Sequence, residues 1–348
     1  MDIATLDALE IAVIVDNETD MLSTVDAGVP QVSEMARLVA TTPPARSHEG
    51  HACVDTLHQT CCACHGFSAL MTARRGDESR TVLFDTGPFP DIWLRNARNF
   101  RVDLSRIETV FLSHWHFDHS GAFPEVVKAI AAARAAAGLP PVEVDLHRDR
   151  PDQRGMRTPN GMYALLPTEP TFAEIEAAGG RVVTHAEPHA LAGGLIYGSG
   201  AIARVTSYET GLVGHHSFYG SEVRSDPLIM DERFLAAHVR GRGIAVLSAC
   251  SHAGVVNACL SARAAFDDAP LDLVLGGYHL AGRGMEERTE ATVKDLAERV
   301  DAHLVAPGHC TGWRAKAALA RTFAPGRYAP SAVGTMYTLQ ATRSEKPT

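Results

Sequence analysis

Residues 111–121 read FLSHWHFDHSG and place His114, His116, Asp118 and His119 within six positions, directly after a short apolar run. Imidazole nitrogens and a carboxylate oxygen are donors for zinc or iron, and a nitrogen-rich set with one carboxylate favours zinc over manganese. If the stretch leaves a strand, alternation turns His114 and His116 toward one point, and the following turn carries Asp118 and His119 toward a second point nearby. A surface loop is the ordinary explanation of a lone histidine. Four ligand-type residues in six positions make it a poor one.

The flanking sequence supports a strand before the cluster and a helix after it. Residues 10–16 (EIAVIVD), 67–71, 81–84 and 109–113 are apolar runs with strand character, each closed by polar or glycine residues. Residues 125–137 are alanine-rich and helix-forming, stopped by Gly138 and the Pro140-Pro141 pair. The second half repeats the plan. A strand at 243–247 runs into ACSHAG and a helix through Ala264; a strand at 271–275 runs into GGYHL and a helix at about 287–300; HLVAP runs into GHCTG and a helix from Trp313. Alternating strands and helices in both halves predict an α/β protein with two sheets covered by outer helices. Residues 145–235, rich in Gly, Pro and Arg, predict short strands and loops.

Composition narrows the function classes. The chain has 348 residues, 45% hydrophobic and 21% charged, which suits a globular protein. A net charge of −9 with no long basic run argues against nucleic acid as a partner. No stretch approaches the roughly 20 apolar residues of a membrane span, and the acidic N-terminal segment is unlike a secretory signal. Seven cysteines, an odd number, with Cys250, Cys259 and Cys310 standing singly, suggest a reduced, cytoplasmic protein. These features leave a small molecule as the expected partner and self-association open.

The motifs resemble those of the metallo-β-lactamase fold superfamily, whose signature is His-x-His-x-Asp-His at a strand end. LFDTG (83–87) matches the strand and turn before that signature, SHAG (251–254) the third ligand segment and GHCTG (308–312) the last. The resemblance implies an αββα sandwich of two mixed β-sheets flanked by helices, spanning 1–348 as one domain with a His/Cys-containing insertion at about 20–64. It implies two divalent metal ions, zinc first and iron or manganese as alternatives. His114, His116 and His252 would hold one ion and Asp118, His119 and His309 the other, with Asp85 orienting the metal loop from behind. Where most relatives have a bridging aspartate, this chain has GGYHL with His279, which makes His279 a candidate to face the substrate.

Together with VDN (15–17), HGFSALM (65–71) and ACSHAGVVN (249–257), that departure resembles the branch named for dihydropterin ribofuranosylaminobenzene 5′-phosphate synthase. His65, Asn17 and Asn257 belong to these motifs; His65 is a candidate to approach the site, and Asn17 and Asn257 either contact the substrate or cap turns. The implied activity is metal-dependent hydrolysis or group transfer of a small phosphorylated or ester substrate. Metal-bound hydroxide would act as nucleophile or base, with Asp118 and His279 in the catalytic roles. Alternatives are a synthase joining a dihydropterin diphosphate ester to an aminobenzene ribose phosphate with release of pyrophosphate, and a non-catalytic metal sensor. Di-iron redox relatives usually have Glu where His116 stands, and nuclease relatives carry more basic charge. In the 20–64 stretch, Cys61 and Cys64 with Cys53, Cys62, His51 and His58 are a weak candidate for an extra zinc site; a lid or a plain insertion is the preferred reading. The pair His215-His216 falls in the middle region, where substrate loops often lie in this fold, and a place on the surface is its commoner explanation.

Overall fold

The computed structural model describes residues 2–323 and 325–342. Two large sheets lie face to face. The first has eight strands in the order 181–184, 143–146, 107–111, 78–84, 68–75, 8–15, 336–340 and 31–32; the second has six, in the order 189–191, 196–198, 235–239, 243–248, 271–277 and 304–308. Both are mixed. In the first, strand 107–111 is parallel to both its neighbours whereas strands 68–75 and 8–15 pair antiparallel. In the second, three adjacent strands from 243 to 308 run parallel.

Alternation within strands builds the layers. Ile11, Val13, Phe84 and Phe111 of the first sheet meet Leu235, Leu247, Leu275 and Ala306 of the second in one buried cluster between the sheets. On the outer face of the first sheet, Leu83, Val110 and Val144 pack under Trp93 and Val126 of helices Pro90–Asn99 and Phe123–Ala136. On the outer face of the second, helices Val255–Ala265, Thr289–Asp295 and Trp313–Phe323 cover Val246 and Val274. Strands 243–248, 271–277 and 304–308 are buried at every position, as parallel strands covered on both faces must be. The result is an αββα sandwich.

The stretch 20–64 contributes strand Gln31–Val32 to the edge of the first sheet, helix Glu34–Thr41 and a small hairpin at 46–53. The middle of the chain holds the short strands expected of it, together with an unexpected helix. Residues 153–157, 163–165, 215–219 and 222–225 form a separate four-stranded sheet, and strand Arg181–Thr184 joins the edge of the first sheet after helix Phe172–Ala177. No helix among the described residues is long and apolar enough to cross a membrane.

Candidate metal centre

The loops that carry the histidines all leave the carboxyl ends of parallel strands, where crossover connections open a crevice. Strand Ile107–Phe111 runs into His114 and His116, and a single helical turn, Phe117–Ser120, then presents Asp118 and His119. From the second sheet come Cys250 and His252 after strand 243–248, His279 after 271–277 and His309 after 304–308. Four non-glycine residues in these turns have left-handed backbone: Asp85 (φ 55°), Ser251 (61°), His279 (46°) and His309 (42°). Such conformations cost about 1 kcal/mol or more each and gather where side chains must be aimed.

Two groups of donor atoms result. His114 Nε2, His116 Nδ1 and His252 Nε2 form a triangle with sides of 3.0, 3.1 and 3.1 Å. Cys250 Sγ lies 3.2 Å from His119 Nε2 and 3.3 Å from His309 Nε2, and Asp118 Oδ2 lies 3.5 and 3.3 Å from the same two nitrogens. Donors on a tetrahedral zinc stand about 3.3–3.8 Å apart, given bonds of roughly 2.0–2.3 Å. Both groups are close to that size. Cys250 also neighbours His252 and His279, so it sits between the groups.

The hydrogen-bond network decides which nitrogens carry protons. Ser113 Oγ gives its one proton to Asp85 Oδ2, so it accepts from His114 Nδ1–H and leaves His114 Nε2 bare. His119 Nδ1–H donates to Asp85 Oδ2 and His309 Nδ1–H to Asn17 Oδ1, which leaves both Nε2 atoms bare. His215 Nδ1–H donates to the Asp226 carbonyl; its Nε2 then accepts from His116 Nε2–H, and His116 Nδ1 is bare. Lone pairs therefore converge with too few protons to satisfy one another. A divalent cation at each group resolves the conflict, so the residues fit the ions that the motif implies.

Protonation tendencies agree for the first group, whereas in the second His119 itself draws a proton. Burial, reinforced by neighbouring imidazoles or Arg154, holds His114, His116 and His252 well below the usual histidine range, hence neutral. Burial opposes charge on His119 too, but Asp118 and Asp85 outweigh it and lift the imidazole to about 9. Burial works against ionised Asp118, yet His119 and His309 hold it well below the usual carboxylate range. Without a cation, a proton on His119 takes its place.

Sequence reasoning missed several contributors. Cys250 stands two residues before His252 on the same strand-end loop, and that spacing was the available signal. His215, expected on the surface, is 2% exposed and braces His116 at 2.9 Å. Buried carboxylates latch the loops by accepting backbone N–H bonds: Asp85 from Ser113, Asp231 from Trp115, Glu232 from His252 and Ala253, and Asp16 from His309. Asn257 instead braces Val205 and Thr206, away from the centre. In the 20–64 stretch, the backbone N–H groups of Cys61 and Cys62 donate to Glu34 Oε1 and Asn96 Oδ1, and no metal-sized donor group among the described residues includes its cysteines.

A cavity of about 870 Å³ opens over the two groups. Asp118, Cys250, His252, His279 and His309 lie on its floor, with Asn17 and His65 beside them. His65 Nε2 is 3.5 Å from Asp118 Oδ2, and His279 Nδ1 is buried without a partner.

An αββα sandwich with a His-x-His-x-Asp-His loop at one edge, facing histidines from the second sheet, defines a class of metal-site proteins. The chain belongs to the metallo-beta-lactamase superfamily, whose family model matches residues 64–309. It is 27% identical over 266 residues to 7,8-dihydropterin-6-methyl-4-(beta-D-ribofuranosyl)-aminobenzene-5′-phosphate synthase of Methanocaldococcus jannaschii, covering 72% of this chain and 82% of that protein. Among solved structures it resembles Tm1679, a metal-dependent hydrolase of the beta-lactamase superfamily, with a TM-score of 0.65, 22% identity, and coverage of 96% of this chain and 100% of the other.

Proposed function

We propose that the protein is a metal-dependent hydrolase whose two donor groups hold two divalent ions. The observation that carries this is the pair of metal-sized donor sets on the floor of one open cavity. His114, His116 and His252 would hold one ion, and Asp118, His119, Cys250 and His309 the other; the mixture of nitrogen, thiolate and carboxylate donors favours zinc over manganese. Bound there, the ions would supply Lewis acidity and make a water nucleophilic near neutral pH.

The remaining work falls to the chain. Asp85 and Asn17 fix the tautomers of His119 and His309. His279 reaches the cavity from the turn where most relatives have a bridging aspartate, and it serves as hydrogen-bond donor to the substrate or leaving group. Burial opposes charge on His279, but Cys310 and Glu232 more than offset it and raise its pKa above the ordinary value, as a proton donor requires.

The test is metal analysis with turnover of p-nitrophenyl esters and bis(p-nitrophenyl) phosphate, before and after chelation and metal return. Asp118→Ala is expected to lose activity together with metal. His279→Ala is expected to keep both ions and lose about a hundredfold or more in kcat. No turnover of any ester by the fully loaded protein would reject hydrolysis and favour a sensor. The similarity to the archaeal synthase supports a second reading, group transfer, for which pyrophosphate release is the signature to assay.

A further inference from the structure

We infer that the substrate is an uncharged carboxylic ester with a long apolar acyl chain; this rests on the hydrolase reading above. The cavity is divided by chemistry. Nearly all its polar lining residues belong to the donor groups or touch them, and its walls are Phe89, Phe117, Met156, Leu166, Leu212 and Trp313. No Lys or Arg is among the described lining residues. Among the described lining residues Glu18 is the one carboxylate on the wall, and the cation beside it, Lys316, forms an ion pair with it at 2.9 Å. Arg154, the cation behind His116 and His215, is buried between Asp231 and Asp226.

A phosphate or diphosphate on the distal part of a substrate would therefore lie against hydrocarbon and a carboxylate, with no Lys or Arg among the described lining residues to pair with its charge. An alkyl chain gains from the same surface. Phe89 and Trp313 stand at the starts of two helices, 47% and 67% exposed, and an apolar ligand along the wall would cover them. The volume is in the range of small-molecule sites, about 300–1,000 Å³. The carbonyl lies at the floor, within reach of His279. Hydrolysis adds the oxygen of one water to the acyl carbon and breaks the bond between that carbon and the ester oxygen. One proton of the water goes to the departing alcohol, and the other stays with the carboxylic acid until solvent takes it.

The experiment is a chain-length series of p-nitrophenyl esters on metal-loaded protein, run beside bis(p-nitrophenyl) phosphate and p-nitrophenyl phosphate. Burial of one methylene corresponds to about fourfold in affinity, so kcat/KM is expected to rise at least tenfold from butyrate to octanoate. Leu166→Arg, at a half-buried wall position, is expected to flatten that rise, and Leu212→Arg to do the same; melting curves check that both fold. A rate independent of chain length, or a phosphoester used better than octanoate, would overturn the inference while leaving hydrolysis standing. Calorimetric binding of N-butyloctanamide, a neutral analogue that resists cleavage, gives a readout apart from turnover. Binding at least tenfold tighter than inorganic phosphate, weakened by Leu166→Arg, is expected even if no ester is cleaved. The reverse order would overturn the inference even with the hydrolase reading intact.

Discussion

Asp85 shows how much of the centre depends on one side chain outside the donor set. Its two oxygens accept from Ser113 N–H, Ser113 Oγ–H and His119 Nδ1–H, and through the Ser113 hydroxyl it also sets which nitrogen of His114 is bare. An asparagine at 85 can accept on one side only, so His119 or Ser113 must lose its partner. Orienting partners of this kind are worth about 10–100-fold in metal affinity or activity. Asp85→Asn is therefore expected to lower metal affinity by that factor while leaving the circular dichroism spectrum intact, as read by competition with a chelator of known strength. Unchanged affinity would show that His114 and His119 hold their tautomers without Asp85.

At the level of elements, the centre depends on how the turn Phe117–Ser120 seats against Gly66. Gly66 has φ +152°, a conformation that residues with a Cβ rarely adopt, and a Cβ there would lie 2.5 Å from both the Asp118 carbonyl and Pro88 Cδ. Gly66→Ala must push the turn that carries Asp118 and His119, so it is expected to cost about 1–3 kcal/mol and to reduce metal content from two ions per chain toward one. A variant with two ions and wild-type turnover would show that the turn is held by other contacts. The positions of the motif loops were legible because each follows a long apolar strand, and His-x-His spacing has a direct geometric meaning there. The carboxylate latches were not, since Asp231 meets Trp115 across 116 positions of sequence and His215 meets His116 across 99. Strands of three to five residues in the middle region carry too little periodicity to be recognised. The helix at 172–177 falls where only short strands and loops are expected, although Thr171 and Glu174 form a capping box that marks its start.

Across the whole molecule, each donor group joins the two sheets. His114, His116, Asp118 and His119 leave the first sheet, whereas Cys250, His252 and His309 leave the second. Ions bound there would tie the halves of the sandwich together and raise its stability by mass action, by about 2.7 kcal/mol when free metal is a hundred times Kd. The two groups differ in their protons. His114, His116 and His252 are already neutral at pH 7, so loading them releases none. His119, lifted to about 9, is protonated below that value and must give up a proton to its ion, and burial with the nearby Cys310 also pushes the Cys250 thiol up. Each proton released makes affinity rise about tenfold per pH unit up to the pKa of the group that releases it. Affinity of the first group is then expected to be flat above pH 7, while that of the second climbs up to pH 9 through His119 and, through the Cys250 thiol, beyond it. Calorimetric metal titrations in buffers of differing ionisation enthalpy should show no proton released by one ion and at least one by the other. Correspondingly, the loss of melting temperature on chelation should be larger at pH 8 than at pH 6. Equal, pH-independent affinities would mean that His119 is not protonated in the metal-free protein, and the account of its charge through Asp118 and Asp85 would fail.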